Sequence, residues 1–281
     1  MTLFWGSLKL IRVTICLVVF LTALESYWLA VHHFDFLNRQ IYLAAMATTA
    51  AYAFANVQND LLDVKTDLFN YPTRPLPAGE ISIRQAQWLA AVLLLMSLLC
   101  SWLAGWVMFG FTIVMLGVTN IYNGWWKKTA LLGKCSVALL SAATLLTGYL
   151  TVSSGDFPTI PFLVVFFFIL AREFISTIAD APGDVAGGRM SIFILWGRTR
   201  VLQICLGLTL LAFGMLLAPL FLQTLRSPLC YALTIGLLSI LPVLLAAVAI
   251  YRNQSATHIR TVSFQMRYVF FTSLVSFLWL I

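Results

Sequence analysis

Long apolar runs dominate the pattern of hydrophobic and polar positions along the chain. Each run is long enough to cross a bilayer, which takes about 17–25 residues. In lipid every backbone polar group must be hydrogen-bonded within the protein, so the pattern predicts helices. The runs lie near residues 10–31, 40–59, 86–106, 108–124, 132–153, 160–180, 200–223, 229–250 and 262–281. Nine helices are expected, or eight if the third and fourth, which meet at 105–110, are one.

Charged side chains are few, and their order along the chain indicates membrane topology. They make up 10% of the sequence, whereas soluble domains carry roughly 25%. With a cytoplasmic N-terminus and alternating helices, fifteen of the seventeen Lys and Arg fall on or near the cytoplasmic side, and only Arg39 and Arg226 face outward. The net charge of +7 therefore reflects topology, and no nucleic-acid partner is expected. We predict one all-α transmembrane domain over residues 1–281.

An acidic cluster interrupts the apolar pattern after the second run. Asn56, Asp60, Asp63 and Asp67 are spaced by four, three and four residues, and Asn59 borders them. On a helix these positions lie within an arc of roughly 60°. Carboxylates one turn apart repel each other, so a merely wetted helix end is a poor explanation for three of them. Oxygen-rich faces of this kind suit Mg²⁺, which typically takes one or two carboxylates plus substrate phosphates.

A second acidic cluster occupies the end of the sixth run, in the sequence AREFISTIADAPGDVAGGR. Asp180 and Asp184 are four residues apart, and Glu173 shares their face if the helix is continuous. Pro182 and Gly183 predict that the helix ends near Asp180, which places Asp184 in a turn. The predicted topology puts both acidic clusters on the cytoplasmic side.

Cations follow both clusters and suggest a diphosphate ligand. Arg74 lies in the loop TRPLPAGE, whose prolines restrict it, and Lys127 and Lys128 close the fourth helix beside two tryptophans. Carboxylates that bind metal, with Lys and Arg nearby, form the kind of site that holds a diphosphate. For the lysine pair, ordinary topology signals next to an aromatic belt are the alternative explanation.

The motifs resemble those of the UbiA superfamily of intramembrane prenyltransferases. Residues 59–67 reproduce its N-D-x-x-D-x-x-x-D motif, and NYPTRPLPAGEIS resembles the continuation N-x-P-x-R-P-L-x-S-G-x-I-S. DAPGD resembles its second D-x-x-x-D motif, with an R-E pair ahead of it at 172–173. IYNGWWKKTALLGK is similar to a third segment, Y-x-x-x-L-K-R-x-x-x-x-G-N. The likeness extends over nearly the whole chain.

Three dipeptides depart from that family's patterns. Many members of the nearest subgroups read R-E-x-x-K-D, and here Ser176-Thr177 replaces the K-D pair. The second motif therefore lacks one carboxylate and one cation. Gly133-Lys134 stands where the third segment has G-N, and Arg12-Val13 stands where an R-P pair begins helix one.

The resemblance and the residue chemistry together predict Mg²⁺-dependent transfer of a polyprenyl group from a prenyl diphosphate to a lipid or aromatic acceptor. The expected fold is a UbiA-type bundle with a cytoplasmic active-site cavity in the membrane. The expected catalytic residues are Asp63, Asp67, Asp180 and Asp184. The expected metal ligands are these four together with Asn59. The residues expected to bind the diphosphate are Asn59, Lys65, Arg74, Tyr122 and Lys127.

Two other classes of protein remain alternatives. A UbiA-type terpene cyclase uses the same metal site, but the substrate's own double bond captures the cation. A transporter also explains polar residues in a membrane, although transporter sites usually lie near the midplane on broken helices. The acids here lie at predicted helix ends, which favours the enzyme.

Overall fold

The computed structural model describes residues 2–33, 35–129, 131–152, 155–186, 191–222, 225–253 and 255–280. In these ranges the chain is helical, without β-strands apart from an isolated bridge between Leu225 and Leu280. The helices are α1 (Thr2–Ile11), α2 (Val13–Val31), α3 (Arg39–Asn70), α4 (Ile83–Ala104), α5 (Trp106–Gly124), α6 (Leu132–Ala143), α7 (Thr159–Ala186), α8 (Ile192–Leu222), α9 (Pro228–Ile235), α10 (Leu241–Arg252) and α11 (Ala256–Phe277).

Each predicted apolar run contains a helix, so the all-α class is confirmed. Six of the described helical segments are long and apolar enough to cross a membrane. A count of nine spanning helices is therefore not confirmed. The second run is part of α3, which continues beyond the apolar region through the acidic cluster to Asn70. Between α4 and α5, Gly105 has φ 129°, a conformation that favours glycine, so these are two helices rather than one.

One compact unit contains Met1–Trp125 and Leu146–Gly155. Its centre is α3, which packs against α2, α4 and α5. Small residues such as Ala44 and Ala47 are fully buried on α3, and the Ser97 hydroxyl of α4 donates to the Ala47 carbonyl oxygen at 3.0 Å. Small side chains let membrane helices approach closely, which fixes where the acidic end of α3 lies relative to its neighbours.

The other compact unit contains Trp126–Leu145 and Asp156–Ile281. Its centre is α7, which packs against α6, α8 and α11. Of the six candidate spans, the one in α7 is the most enclosed, with 72% of its apolar window buried. The segments α9 and α10 join through a π-helical stretch, Gly236–Ile240, into one apolar helix.

The prediction that the helix ends near Asp180 is wrong. Helix α7 continues through Pro182 and Gly183 to Ala186. A proline removes its own N–H from the helical ladder and its ring crowds the carbonyl one turn earlier, but hydrogen bonds on either side can maintain the helix. Asp184 is therefore helical and not in a turn, while the side chains of residues 182–186 lie outside the described part of the structure.

Candidate active site

The last third of α3 carries the first acidic cluster on one face of a continuous helix. Asn56, Asp60 and Asp67 are buried, with relative exposures of 7%, 4% and 4%, and Asn59 and Asp63 are half-buried. Burying several carboxylates on one helix is costly unless cations or hydrogen-bond donors compensate them. The surrounding chain supplies two arginines that do so.

Arg74 returns to α3 from the loop that follows it. The Arg74 amide donates to the Tyr71 carbonyl at 3.0 Å, in a turn that brings the side chain back over the helix end. Its guanidinium donates to Asp67 Oδ2 at 2.6 Å, lies 3.5 Å from Asp60 Oδ1 and stacks 4.1 Å from the centre of the Tyr71 ring. The planar guanidinium can contact two carboxylates and an aromatic face at once, which an ammonium cannot.

Arg12 is the second compensating cation, which sequence reasoning noted only as part of a departure from a motif and did not assign to the site. It joins α1 to α2 in a left-handed conformation, with φ 58° and ψ 57°. Its guanidinium donates to Asn56 Oδ1 at 2.6 Å and to Asp60 Oδ1 at 3.1 Å. A non-glycine residue in this conformation costs about 1–3 kcal/mol and is retained where its surroundings require it. An arginine within an apolar stretch needs a partner, which is the signal that could have identified it.

Asp67 still favours a further positive charge nearby. Burial raises the pKa of Asp67, and Arg74 only partly counteracts that effect. The neighbouring carboxylates of Asp60 and Asp63 raise the Asp67 pKa further. A cation bound beside Asp67 would therefore be favourable.

The donor set fits Mg²⁺. Carboxylates and the Asn59 amide offer only hard oxygen ligands, as Mg²⁺ prefers, and this ion usually keeps waters and substrate phosphates among its ligands. Over the described residues, no three His, Cys, Asp or Glu side chains come close enough to form a complete metal site. The oxygen atoms of this face are therefore of the kind that could contribute to a magnesium site.

A polar network next to this cluster was not predicted from the sequence. Gln58 of α3 donates to Asn120 Oδ1 at 2.8 Å, and Asn123 donates to Gln58 Oε1 at 2.8 Å. Both asparagines belong to α5, which carries the half-buried Tyr122 between them. The network fixes the relative rotation of α3 and α5, and with it the positions of Asn59 and Tyr122.

The second acidic cluster belongs to the other compact unit and differs in its partners. Arg172 and Glu173, both buried, pair with each other on α7, and Lys134 Nζ of α6 lies 3.3 Å from Glu173 Oε2. Asp180 lies farther along α7, with Arg260 of α11 at 3.5 Å from its Oδ1. Sequence reasoning treated Lys134 only as a departure from a motif.

The predicted site residues thus fall into three groups. The structure brings Asp67 and Arg74 into direct contact, and Arg74 also contacts Asp60, which was not among the predicted site residues. Lys65 is exposed on α3, and Lys127 is half-buried on a 3₁₀ turn of the second unit. The side chain of Asp184 lies outside the described residues.

Known proteins resemble this chain over most of its length. It matches the UbiA prenyltransferase family over residues 17–275. It is 32% identical over 233 residues to the digeranylgeranylglyceryl phosphate synthase of Sulfolobus acidocaldarius, a match that covers 78% of this chain and 79% of that protein. The synthase of the same name from Sulfurisphaera tokodaii is 33% identical over 181 residues, covering 60% of this chain and 64% of its own length.

Solved structures resemble the chain in fold. A UbiA homologue from Aeropyrum pernix has a TM-score of 0.72 at 17% identity, covering 98% of this chain and 96% of its own. A UbiA homologue from Archaeoglobus fulgidus, bound to GPP and Mg²⁺, has a TM-score of 0.65 at 17% identity, covering 95% and 99%. With the apolar helices, these likenesses identify an integral membrane protein of the UbiA fold. The chain therefore belongs to the UbiA prenyltransferase family, and prenyl transfer is its class of activity.

Proposed function

We propose that the protein transfers a prenyl group from a prenyl diphosphate to a hydroxyl of a glyceryl phosphate lipid and releases diphosphate. The names of the relatives support this acceptor, since several are digeranylgeranylglyceryl phosphate synthases. In this proposal the acceptor is a phosphorylated lipid rather than an aromatic ring. The whole chain, residues 1–281, acts as one catalytic domain with its N-terminus and its active-site loops in the cytoplasm.

The observation that carries the proposal is the partly compensated acidic face of α3. Two arginines hold Asp60 and Asp67, and Asp63 lies between these two positions on the same face of α3. Burial and the neighbouring carboxylates raise the pKa of Asp67 in spite of Arg74. Carboxylates gathered in this way become more favourable once a metal–diphosphate complex binds. A purely structural membrane helix would gain nothing from it.

The metal in this proposal is Mg²⁺. The residues that would hold it are Asn59, Asp63, Asp67, Asp180 and Asp184. Bound there, Mg²⁺ would act as a Lewis acid that stabilises the negative charge developing on the leaving diphosphate. The Archaeoglobus fulgidus homologue bound to GPP and Mg²⁺ supports this choice of ion.

The chain's own side chains would bind and orient the reactants. Arg74, Lys127 and Lys65 neutralise diphosphate oxygens that carry the electron pair of the breaking C1–O bond, and Tyr122 contributes its hydroxyl or its ring face. The acceptor hydroxyl oxygen forms the new bond to C1, and its proton passes to the departing diphosphate, which carries the electron pair of the broken C1–O bond. Fixed charges that face developing charge usually contribute more to the rate than any other catalytic effect. The apolar helices exclude water, which would otherwise capture the allylic cation.

The terpene cyclase is the second candidate. It would need the same acidic face but no external acceptor. The synthase names among the relatives favour the transferase, because a synthase of that product joins two molecules.

Release of diphosphate by the purified protein in lipid nanodiscs tests the proposal. Prenyl diphosphates of increasing length are supplied with Mg²⁺, with or without glyceryl phosphate lipids and aromatic acceptors. We expect release that requires both Mg²⁺ and a glyceryl phosphate lipid, and a prenyl ether as the product. Release without an acceptor, with a cyclic hydrocarbon as the product, would replace the transferase by the cyclase. An aromatic product would overturn the proposed acceptor.

A further inference from the structure

A cationic cluster lies where α6 meets the middle of α7, within the second compact unit. Lys134 Nζ is 3.3 Å from Glu173 Oε2 and 3.4 Å from Ser176 Oγ. Arg172 pairs with Glu173 from the adjacent position on α7. Charged side chains within a membrane-spanning helix are costly and are therefore expected to serve a function.

Among the described contacts of this cluster, two cations meet one carboxylate. The Arg172 guanidinium already pairs with Glu173, so Lys134 is not required to neutralise it. The Arg172 side chain is 91% buried, and its Nε has no acceptor among the described residues. The Lys134 side chain is 24% exposed, so its ammonium can still contact a ligand. One surplus cation and one unused buried donor together favour an anion.

The position of Lys134 is fixed by the residue before it. A Cβ added at Gly133 would lie 2.8 Å from the Trp126 carbonyl oxygen and 3.3 Å from the Lys127 Cα. Only glycine permits this close approach without a backbone shift, so the 3₁₀ turn that carries Lys127 packs directly against the start of α6. The backbone just before Lys134 is thus held in place against the segment Trp126–Lys128.

Positions 134 and 176 are in contact, so their residue types depend on each other. The Ser176 hydroxyl donates to the Glu173 carbonyl oxygen at 2.8 Å and accepts from Lys134. A lysine at position 176 would bring a second ammonium against that of Lys134, and like charges at this distance repel. The contact between positions 134 and 176 therefore accommodates one ammonium group, and here Lys134 of α6 provides it.

We propose that Lys134 binds a phosphate oxygen of a reactant and supplies from α6 the cation that α7 lacks at position 176. This assignment rests on the proposed function, because it needs a phosphorylated substrate. Glu173 positions the ammonium, and Arg172 compensates Glu173. The ligand is a phosphate group, which could belong to the prenyl diphosphate or to the glyceryl phosphate lipid.

Relocating the charge tests the proposal. Lys134→Met removes the ammonium, and Lys134→Met with Ser176→Lys returns it from the other helix. We expect the single variant to lower kcat/KM about a hundredfold, as loss of one preorganised donor does, and the double variant to recover at least tenfold of that loss. Lys134→Arg keeps the charge and should retain most of the activity. Arg252→Gln, which removes an exposed cation at the end of α10, is the matched control and should change nothing.

The separate KM values identify the source of the phosphate. A rise in KM for the prenyl diphosphate alone assigns Lys134 to the donor, and a rise for the lipid alone assigns it to the acceptor. Inorganic diphosphate, titrated by calorimetry into the purified variants, reports on Lys134 even if no transferase activity is found. Weaker binding by Lys134→Met supports the assignment independently of the reaction. Wild-type kinetics and wild-type diphosphate binding in Lys134→Met would overturn it, as would a lower melting temperature with no recovery in the double variant.

Discussion

The acidic end of α3 and the middle of α7 carry similar motifs, but their described ion pairs differ. On α3, the buried carboxylates of Asp60 and Asp67 share the guanidinium of Arg74, and Arg12 also contacts Asp60. On α7, the two cations Arg172 and Lys134 contact the single carboxylate of Glu173, and Arg260 lies 3.5 Å from Asp180.

The difference shows that two similar motifs can have unlike surroundings. Carboxylates that share one cation are suited to metal, and cations that share one carboxylate are suited to phosphate oxygens. Asp180, one of the proposed metal ligands, lies against Arg260 and would have to exchange this partner for a metal ion.

The largest loss of activity is expected when a carboxylate is removed from the α3 face. We expect Asp63→Asn to lower kcat about a thousandfold, which corresponds to about 4 kcal/mol of barrier, and to raise the Mg²⁺ concentration needed for half-maximal activity. Steady-state kinetics in nanodiscs across a Mg²⁺ series measure both effects. Asp35→Asn, in an exposed loop before α3, is the matched control. Activity of Asp63→Asn within threefold of wild type would show that the face does not hold the catalytic metal.

Removing the shared arginine should have the next largest effect. Arg74→Met leaves Asp60 and Asp67 buried and facing each other without their common partner. We expect about a hundredfold loss of activity. We also expect a loss of stability of about 2 kcal/mol, less than for a fully buried pair because the Arg74 side chain is 29% exposed.

Thermal unfolding in detergent measures the stability part of that prediction. Adding Asp60→Asn to Arg74→Met should recover part of the lost stability, since it removes one of the two like charges. No recovery in the double variant would mean that Arg74 acts through its stacking on Tyr71 rather than through the carboxylates.

A smaller loss of activity is expected from a conservative substitution of Arg12. Arg12→Lys retains the charge but cannot contact both Asn56 and Asp60 in the way two guanidinium nitrogens do. We expect kcat to fall about tenfold, with little change in KM for the acceptor. A change confined to the acceptor KM would instead assign Arg12 to acceptor binding.

The smallest effect is expected at the edge of the first unit. Lys9 pairs with Glu80 at 2.7 Å, and its side chain is 57% exposed. Exposed ion pairs contribute about 0–1 kcal/mol, so Lys9→Gln should leave activity within twofold of wild type and barely change the melting temperature. A large loss of activity would show that the function of the α3 face also depends on this peripheral ion pair.

Much of the fold could be predicted from the sequence because the membrane restricts the choices. Apolar runs in lipid must be helical, and the break at Gly105 follows from a residue that tolerates positive φ. The end of α7 could not be predicted in the same way. Pro182 normally interrupts a helix, but the helix continues to Ala186, and local propensity does not decide such a case.

The ion-pair partners of the charged residues could not be predicted from the sequence. Arg12 and Asp60 are 48 residues apart, and Lys134 and Glu173 are 39 apart. No periodicity within one helix relates them, because each pair joins two helices. The sequence could identify the carboxylates and some of the cations, but it could not pair them.

The sequence by itself determined which side chains share a face of α3, because 3.6 residues per turn place Asn56, Asp60, Asp63 and Asp67 together wherever the helix lies. The tertiary structure alone decided which cations reach that face and which reach α7. Which cations reach a face depends on how closely the helices approach each other and how they are rotated. Packing sets both quantities, through the buried alanines, Gly133 and the hydrogen bonds of Gln58.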